Sequence, residues 1–161
     1  PYLRNIAVDV KDNLALKSVE PPPMIVYARG AVNHSLVEIS RLGYDVVGID
    51  HTVEPAWARQ CLAQAQSSNR KFSEVEVNKG AQHRIAIQGN LDPAILYARP
   101  EVIQDRVRRM FQTTTGGFGG QGALICNLGQ GITPGVDPDH LRVFLEAVHR
   151  VSKEMADNND D

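Results

Sequence analysis

Apolar residues fall at Leu3, Ile6, Ala7, Val10 and Leu14, the three- and four-residue spacing of an amphipathic helix over residues 1 to about 17. Pro21-Pro22-Pro23 ends it, because proline lacks an N–H and restricts the residue before it. The pattern then changes period. Met24 to Ala28 is a short apolar run bounded by turn residues, which predicts a buried strand. A helical pattern follows at Ser35 to Leu42, with Gly43 at a C′ position. Asp45 to Ile49 predicts a second strand and Pro55 to about Ala65 a second crossover helix.

Residues 66–82 are polar and without period, which predicts a surface insertion. A third strand is expected at Arg84 to Gln88, with helical segments at Pro93 to Tyr97 and Pro100 to Phe111. In the second segment Ile103, Val107, Met110 and Phe111 share a face, and Asp105 can pair with Arg109. The glycine-rich stretch 113–122 predicts a flexible loop before a fourth strand, Ala123 to Asn127. The last helix starts near Pro138 and turns Leu141, Phe144, Leu145, Val148 and Val151 inward. Residues 1–154 form the folded unit and 155–161 a disordered tail.

The order is α(βα)₄, an α/β chain in which helices serve as crossovers between parallel strands. Four strands do not close a barrel, since a (β/α)₈ barrel takes roughly 200 residues or more. Periodicity alone leaves a small open sheet and half of a barrel as alternatives.

Composition narrows the function. The 161 residues are 42% apolar, and 17 Lys and Arg against 19 Asp and Glu leave a net charge of −2. That balance gives no electrostatic footprint for nucleic acid or an anionic membrane surface. The apolar runs are too short to cross a bilayer. Cys61 and Cys126 form no metal-ligand spacing, and histidines 34, 51, 83, 140 and 149 form none either, so no metal is expected. The first residue is proline rather than methionine, which marks a processed, trimmed or partial product.

Two motifs invite over-reading. Gly117 to Gly122 matches G-x-G-x-x-G, but it follows a helix and precedes a strand, the reverse of a dinucleotide-binding turn. Asp92-Pro93 and Asp137-Pro138 read as helix caps rather than catalytic carboxylates, whereas Glu54 before Pro55 is a poorer cap that favours the helix dipole. The strand C-terminal ends carry the chemistry. They present Tyr27-Ala28-Arg29-Gly30, Asp50-His51-Thr52, Gly89-Asn90-Leu91-Asp92 and Asn127 to Gly131, a rim suited to a polar, anionic ligand. No nucleophile and base stand together, which disfavours hydrolase chemistry.

At these strand ends the sequence resembles uroporphyrinogen decarboxylase. The match is carried by PYLRNIAVDV (1–10), PMIVYAR (23–29), GYDVVGIDHTVEP (43–55), QGNLDPAILYA (88–98) and NLGQGITPGVDPDHLRVFLEAVH (127–149). The resemblance implies the C-terminal half of a (β/α)₈ TIM barrel, usually a homodimer, cytoplasmic or plastid. The activity it implies is that of a carboxy-lyase converting uroporphyrinogen III to coproporphyrinogen III without a cofactor. The family's arginine-rich segment and its pyrrole-contacting aspartate would lie upstream, so no catalytic residue is expected in this chain, which alone should be inactive.

Substrate contact is expected at Gln130, then Asn90, Arg29 and Asp50. Gln130 stands where the family has a pocket histidine, and His51 where it has a tryptophan. Cobalamin-linked methyltransferases share the fold, but their zinc-binding H-x-C is missing after Tyr27-Ala28-Arg29. The competing class is a non-catalytic half-barrel that binds a partner chain.

Overall fold

A computed structural model describes residues 2–30, 34–68, 85–112 and 124–157. The elements are α1 (Tyr2–Leu16), β1 (Ile25–Tyr27), α2 (His34–Ser40), β2 (Val46–Gly48), α3 (Pro55–Ser68), β3 (Ala86–Leu91), a 3₁₀ turn (Pro93–Tyr97), α4 (Pro100–Phe111), β4 (Leu124–Leu128) and α5 (Pro138–Asp157). The four strands lie in chain order in one sheet, and each pair is parallel. This is the α(βα)₄ arrangement expected from the sequence: a curved α/β arc of the kind that makes up part of a (β/α)₈ barrel.

The register separates two faces, because side chains alternate along a strand. Val26, Val47 and Ile87 form one cross-strand row and are buried in the core with Leu36, Ile103 and Val107 from the helices. On the opposite face lies the row Tyr27, Gly48, Gln88 and Ile125. Its outermost members remain open, Tyr27 at 46% and Ile125 at 40% exposure. The core therefore sits between sheet and helices, and the concave face of the arc is uncovered along both edge strands.

Local sequence explains the element starts. Asp92 accepts a hydrogen bond from the Ala94 amide at 2.9 Å, and Asp137 accepts one from the Asp139 amide at 2.9 Å, as caps beside N1 prolines do. Glu54 also caps: its Oε2 accepts from the Trp57 amide at 2.7 Å, so its longer side chain reaches the third helical residue. The Asp105–Arg109 ion pair forms at 2.9 Å.

Several boundaries shift. β3 begins at Ala86 and continues to Leu91, past the expected end at Gln88, because β4 pairs with it through Leu91–Leu128. Asn90 thus sits within a strand rather than in the loop beyond it, paired with Asn127. α3 reaches Ser68, so residues 66–68 are helical, while 69–82 of the expected insertion and the stretch 113–122 lie outside the described residues.

Helix α5 runs to Asp157, three residues into the expected tail, since Met155 extends its apolar face onto the core. Residues 158–161 lie outside the described residues. Leu145, expected inward, is 48% exposed beside the free edge of β4. The stripe of α1 is also largely open, with only Ala7 buried. That helix is held by polar contacts to one turn: Lys11 Nζ donates to the Gly43 carbonyl at 2.8 Å and Tyr44 Oη to the Leu3 carbonyl at 3.0 Å. Gly43, with φ +91°, supplies the left-handed residue of that turn.

Candidate functional site

The C-terminal ends of the four strands converge on one rim, and buried polar groups tie its loops together. Asp50, two residues past the end of β2, is 4% exposed. Its Oδ2 accepts from the Gly30 amide at 2.6 Å, and its Oδ1 accepts from both the amide and the hydroxyl of Thr52. Burial alone would raise this carboxyl. The Thr52 hydroxyl and the Gly30 and Thr52 amides outweigh it and hold the group below the ordinary carboxylate value. Asp50 is thus an ionised staple between the turn after β1 and the turn after β2.

Asn90 makes the next link. Its Nδ2 donates to the Asp50 carbonyl at 2.9 Å and to the Val53 carbonyl at 2.7 Å, using both amide hydrogens inside the protein. The neighbouring Gly89 (φ +145°) has no space for a side chain, because a Cβ there would lie 2.7 Å from the Ile49 carbonyl oxygen. Sequence reasoning placed Asp50 and Asn90 among substrate contacts. The structure brings them together as a connected pair whose hydrogen-bonding groups are turned to the framework.

The turn after β4 docks on this framework. The Gly129 amide donates to the Leu91 carbonyl at 2.7 Å. A Cβ on Gly129 would overlap the His51 backbone nitrogen and stand 2.7 Å from its Cα. That close approach is why glycine is needed beside Gln130. His51 itself packs its backbone here, while its Nδ1 is buried without a hydrogen-bond partner among the described residues.

Gln130 lines a cavity of about 430 Å³ at the concave side of β4. Its polar wall holds Tyr27, Gln88, Asn127 and Gln130, and its apolar wall Ile49, Ile132, Phe144 and Leu145. The wall also carries the Cys126 thiol, which burial pushes up to about 12. That thiol stays protonated at neutral pH and is no nucleophile. The cavity therefore offers neutral amides and a phenol, groups that bind and orient an oxygen-rich ligand without attacking it. Arg29 is exposed on the turn after β1 and makes no hydrogen bond or ion pair among the described residues. It does not line this cavity.

A second hollow of about 470 Å³ lies on the helix side, lined by His51, Glu54, Asn90, Asp92, Arg106 and Arg109 among others. Among the described residues no group of three or more His, Cys, Asp or Glu side chains is placed to hold a metal ion.

Sequence reasoning placed Tyr27 and Asn127 on the strand-end rim but missed Gln88 as a site residue. The signal was present: a glutamine or asparagine inside a strand that otherwise reads apolar marks the face that does not join the core.

Comparison with known proteins agrees with the residue pattern. The family model for uroporphyrinogen decarboxylase (URO-D) matches residues 1–151. The chain is 41% identical over 150 residues to the uroporphyrinogen decarboxylase of Schizosaccharomyces pombe, covering 93% of this chain and 36% of that protein. It is 35% identical over 158 residues to the human uroporphyrinogen decarboxylase, covering 98% and 36%. For the Danio rerio uroporphyrinogen decarboxylase the values are 37% over 155 residues, covering 96% and 35%. The chain thus spans about 36% of the length of the curated relatives it matches.

Proposed function

Because this chain belongs to the uroporphyrinogen decarboxylase family, we propose that it is part of an enzyme that decarboxylates the acetate arms of uroporphyrinogen III to give coproporphyrinogen III. The observation that carries this reading is the cavity of about 430 Å³ at the strand ends, where Gln130 stands within the collinear match. The substrate is a tetrapyrrole whose arms end in carboxylates. Amides such as those of Gln130, Gln88 and Asn127 can donate to carboxylate oxygens, and Arg29, exposed on the turn after β1, adds a positive charge at the strand-end rim. In this role Gln130 and Arg29 touch substrate, while Asp50 and Asn90 fix the turns that present them.

Glutamine at position 130 carries no charge at any working pH. It holds a carboxylate by hydrogen bonding alone, so substrate affinity here does not follow the titration of an imidazole. The cationic groups that neutralise most of the arms, and the aspartate that contacts the pyrroles, come from sequence outside this chain. The reaction needs no organic cofactor or metal. The working enzyme is a homodimer without nucleic-acid or membrane partners, in the cytoplasm or a plastid.

The competing reading is a half-barrel that docks on another chain. The observation in its favour is the pair of strand edges, β1 and β4, unpaired among the described residues, beside exposed Ile25, Tyr27 and Ile125. One experiment separates the two. The protein purified from its source and the 161-residue chain are each incubated with uroporphyrinogen III under reducing, dark conditions, and the oxidised products are separated by chromatography. Porphyrins with progressively fewer carboxyl groups from the native protein, and none from the 161-residue chain, support the enzyme. A native protein that forms no product refutes it and leaves the docking role.

A further inference from the structure

Tyr27 lies at the end of β1 and Gln130 beyond the end of β4, with two strands between them. The phenol nevertheless spans that gap. Tyr27 Oη donates a hydrogen bond of 2.9 Å to the Gly129 carbonyl, a contact between residues 102 positions apart. The ring crosses the concave face over Gly48, where a Cβ would lie 2.9 Å from Tyr27 Cδ2 and 3.2 Å from Gln88 Oε1. Glycine at 48 is what lets the tyrosine lie flat across the sheet.

The bonded carbonyl matters because of its place in the chain. The Gly129 carbonyl and the Gln130 amide share one planar peptide unit, so fixing that oxygen fixes the direction in which the Gln130 backbone departs. The same residue is fixed twice more, by its amide on the Leu91 carbonyl at 2.7 Å and by the contact of its Cα with the His51 backbone. Beyond Gln130 the chain is held again by a tyrosine: Tyr97 Oη bonds the Thr133 hydroxyl at 2.8 Å and the Pro134 carbonyl at 2.9 Å. Gln130 thus sits in a short span pinned at both ends, at the wall of the cavity.

We propose that Tyr27 is a positioning residue for Gln130, acting through the Gly129 carbonyl to hold the side-chain amide toward a carboxylate of the substrate. This rests on the decarboxylase reading for the identity of the substrate, but not for the contact itself. An uncharged amide gains from such placement. A glutamine binds a carboxylate only when its donor is aimed, whereas a cation attracts one from many directions.

The test uses the full-length protein as wild type, Tyr27→Phe, Gln130→Ala and the double variant. Amide hydrogen exchange of residues 129–131 is measured without substrate, and kcat and KM are measured with uroporphyrinogen III. Tyr27→Phe keeps the ring over Gly48, so the fold survives. It is expected to speed exchange at 129–131 several-fold and to lower kcat/KM several-fold. In the Gln130→Ala background it should lower kcat/KM no further, because the residue it positions is gone. Unchanged exchange in Tyr27→Phe overturns the proposal, and so do losses that multiply in the double variant. If the wild type does not turn over the substrate, the decarboxylase reading falls instead, and exchange still decides the role of Tyr27.

Discussion

The Asn90 side chain donates both of its amide hydrogens to main-chain carbonyls of one turn, at 2.9 Å to Asp50 and 2.7 Å to Val53. Asp50 in turn receives the Gly30 amide from the turn before. A continuous chain of hydrogen bonds therefore runs along the strand ends from β3 through β2 to β1. The rim is fixed by groups that spend their polarity on one another, and it presents others, chiefly Gln130 and Arg29, outward.

Replacing Asn90 with alanine removes two buried hydrogen bonds and takes this partner from the Val53 carbonyl, while the Asp50 carbonyl keeps the Val53 amide at 3.2 Å. The expected cost is about 1–3 kcal/mol of stability, the penalty for one buried group left unpaired. Thermal unfolding followed by circular dichroism checks it. An unchanged Tm would mean that the turn holds without Asn90.

Asp50 makes part of the stability depend on pH. Its carboxyl is held below the ordinary value in the folded state, so its contribution is fully present above the unfolded pKa of about 4 and is lost as pH falls through the folded value. Asp50→Asn is expected to lower stability at pH 7 by about 1.5–3 kcal/mol, the worth of a hydrogen bond to a charged group, and to flatten the acid side of the stability profile. Denaturant titrations from pH 3 to pH 7 would show it. Parallel profiles for the two proteins would place the acid sensitivity elsewhere.

How much of this was legible beforehand depends on the kind of signal. The alternation of short apolar runs such as Ile25-Val26-Tyr27 and Val46-Val47 with helical stretches announced the parallel sheet, because parallel strands need crossover connections, usually helices. The caps at Asp92 and Asp137 were equally plain, since their function is local. The uses of Asp50 and Asn90 were not. A buried carboxylate that binds substrate and one that binds a neighbouring turn look alike in sequence, and only the distance to Gly30 separates them. The sequence puts Tyr27 at a strand end, but nothing in a linear string shows that the turn after the strand three places away lies within reach of its hydroxyl.

Gly129→Ala tests the close approach of two turns. The added methyl would overlap the His51 backbone, which cannot move without breaking the Asp50 and Thr52 contacts beside it. Overpacking of this kind costs about 1–3 kcal/mol. The variant should melt at a lower temperature and bind a carboxylated porphyrin more weakly. Wild-type values in both measurements would show that the turn has room.

The Cys126 thiol should be inert. With its pKa pushed up to about 12, almost none is thiolate at pH 8. Brief treatment of the folded protein with iodoacetamide should leave Cys126 unmodified by peptide mass mapping, whereas denatured protein should be labelled fully. Rapid labelling of Cys126 in the folded state would mean that the cavity wall is open to solvent.

The most direct measurement is the rate of coproporphyrinogen III formation from uroporphyrinogen III by the full-length protein, with wild type and Gln130→Ala compared in one preparation. We expect sustained turnover by the wild type. Loss of a hydrogen bond to a charged arm, worth about 1.5–3 kcal/mol, should lower kcat/KM at least tenfold in the variant with little change in Tm. Equal kcat/KM for the two proteins would remove Gln130 from the substrate site. No turnover by either would contradict the decarboxylase assignment itself.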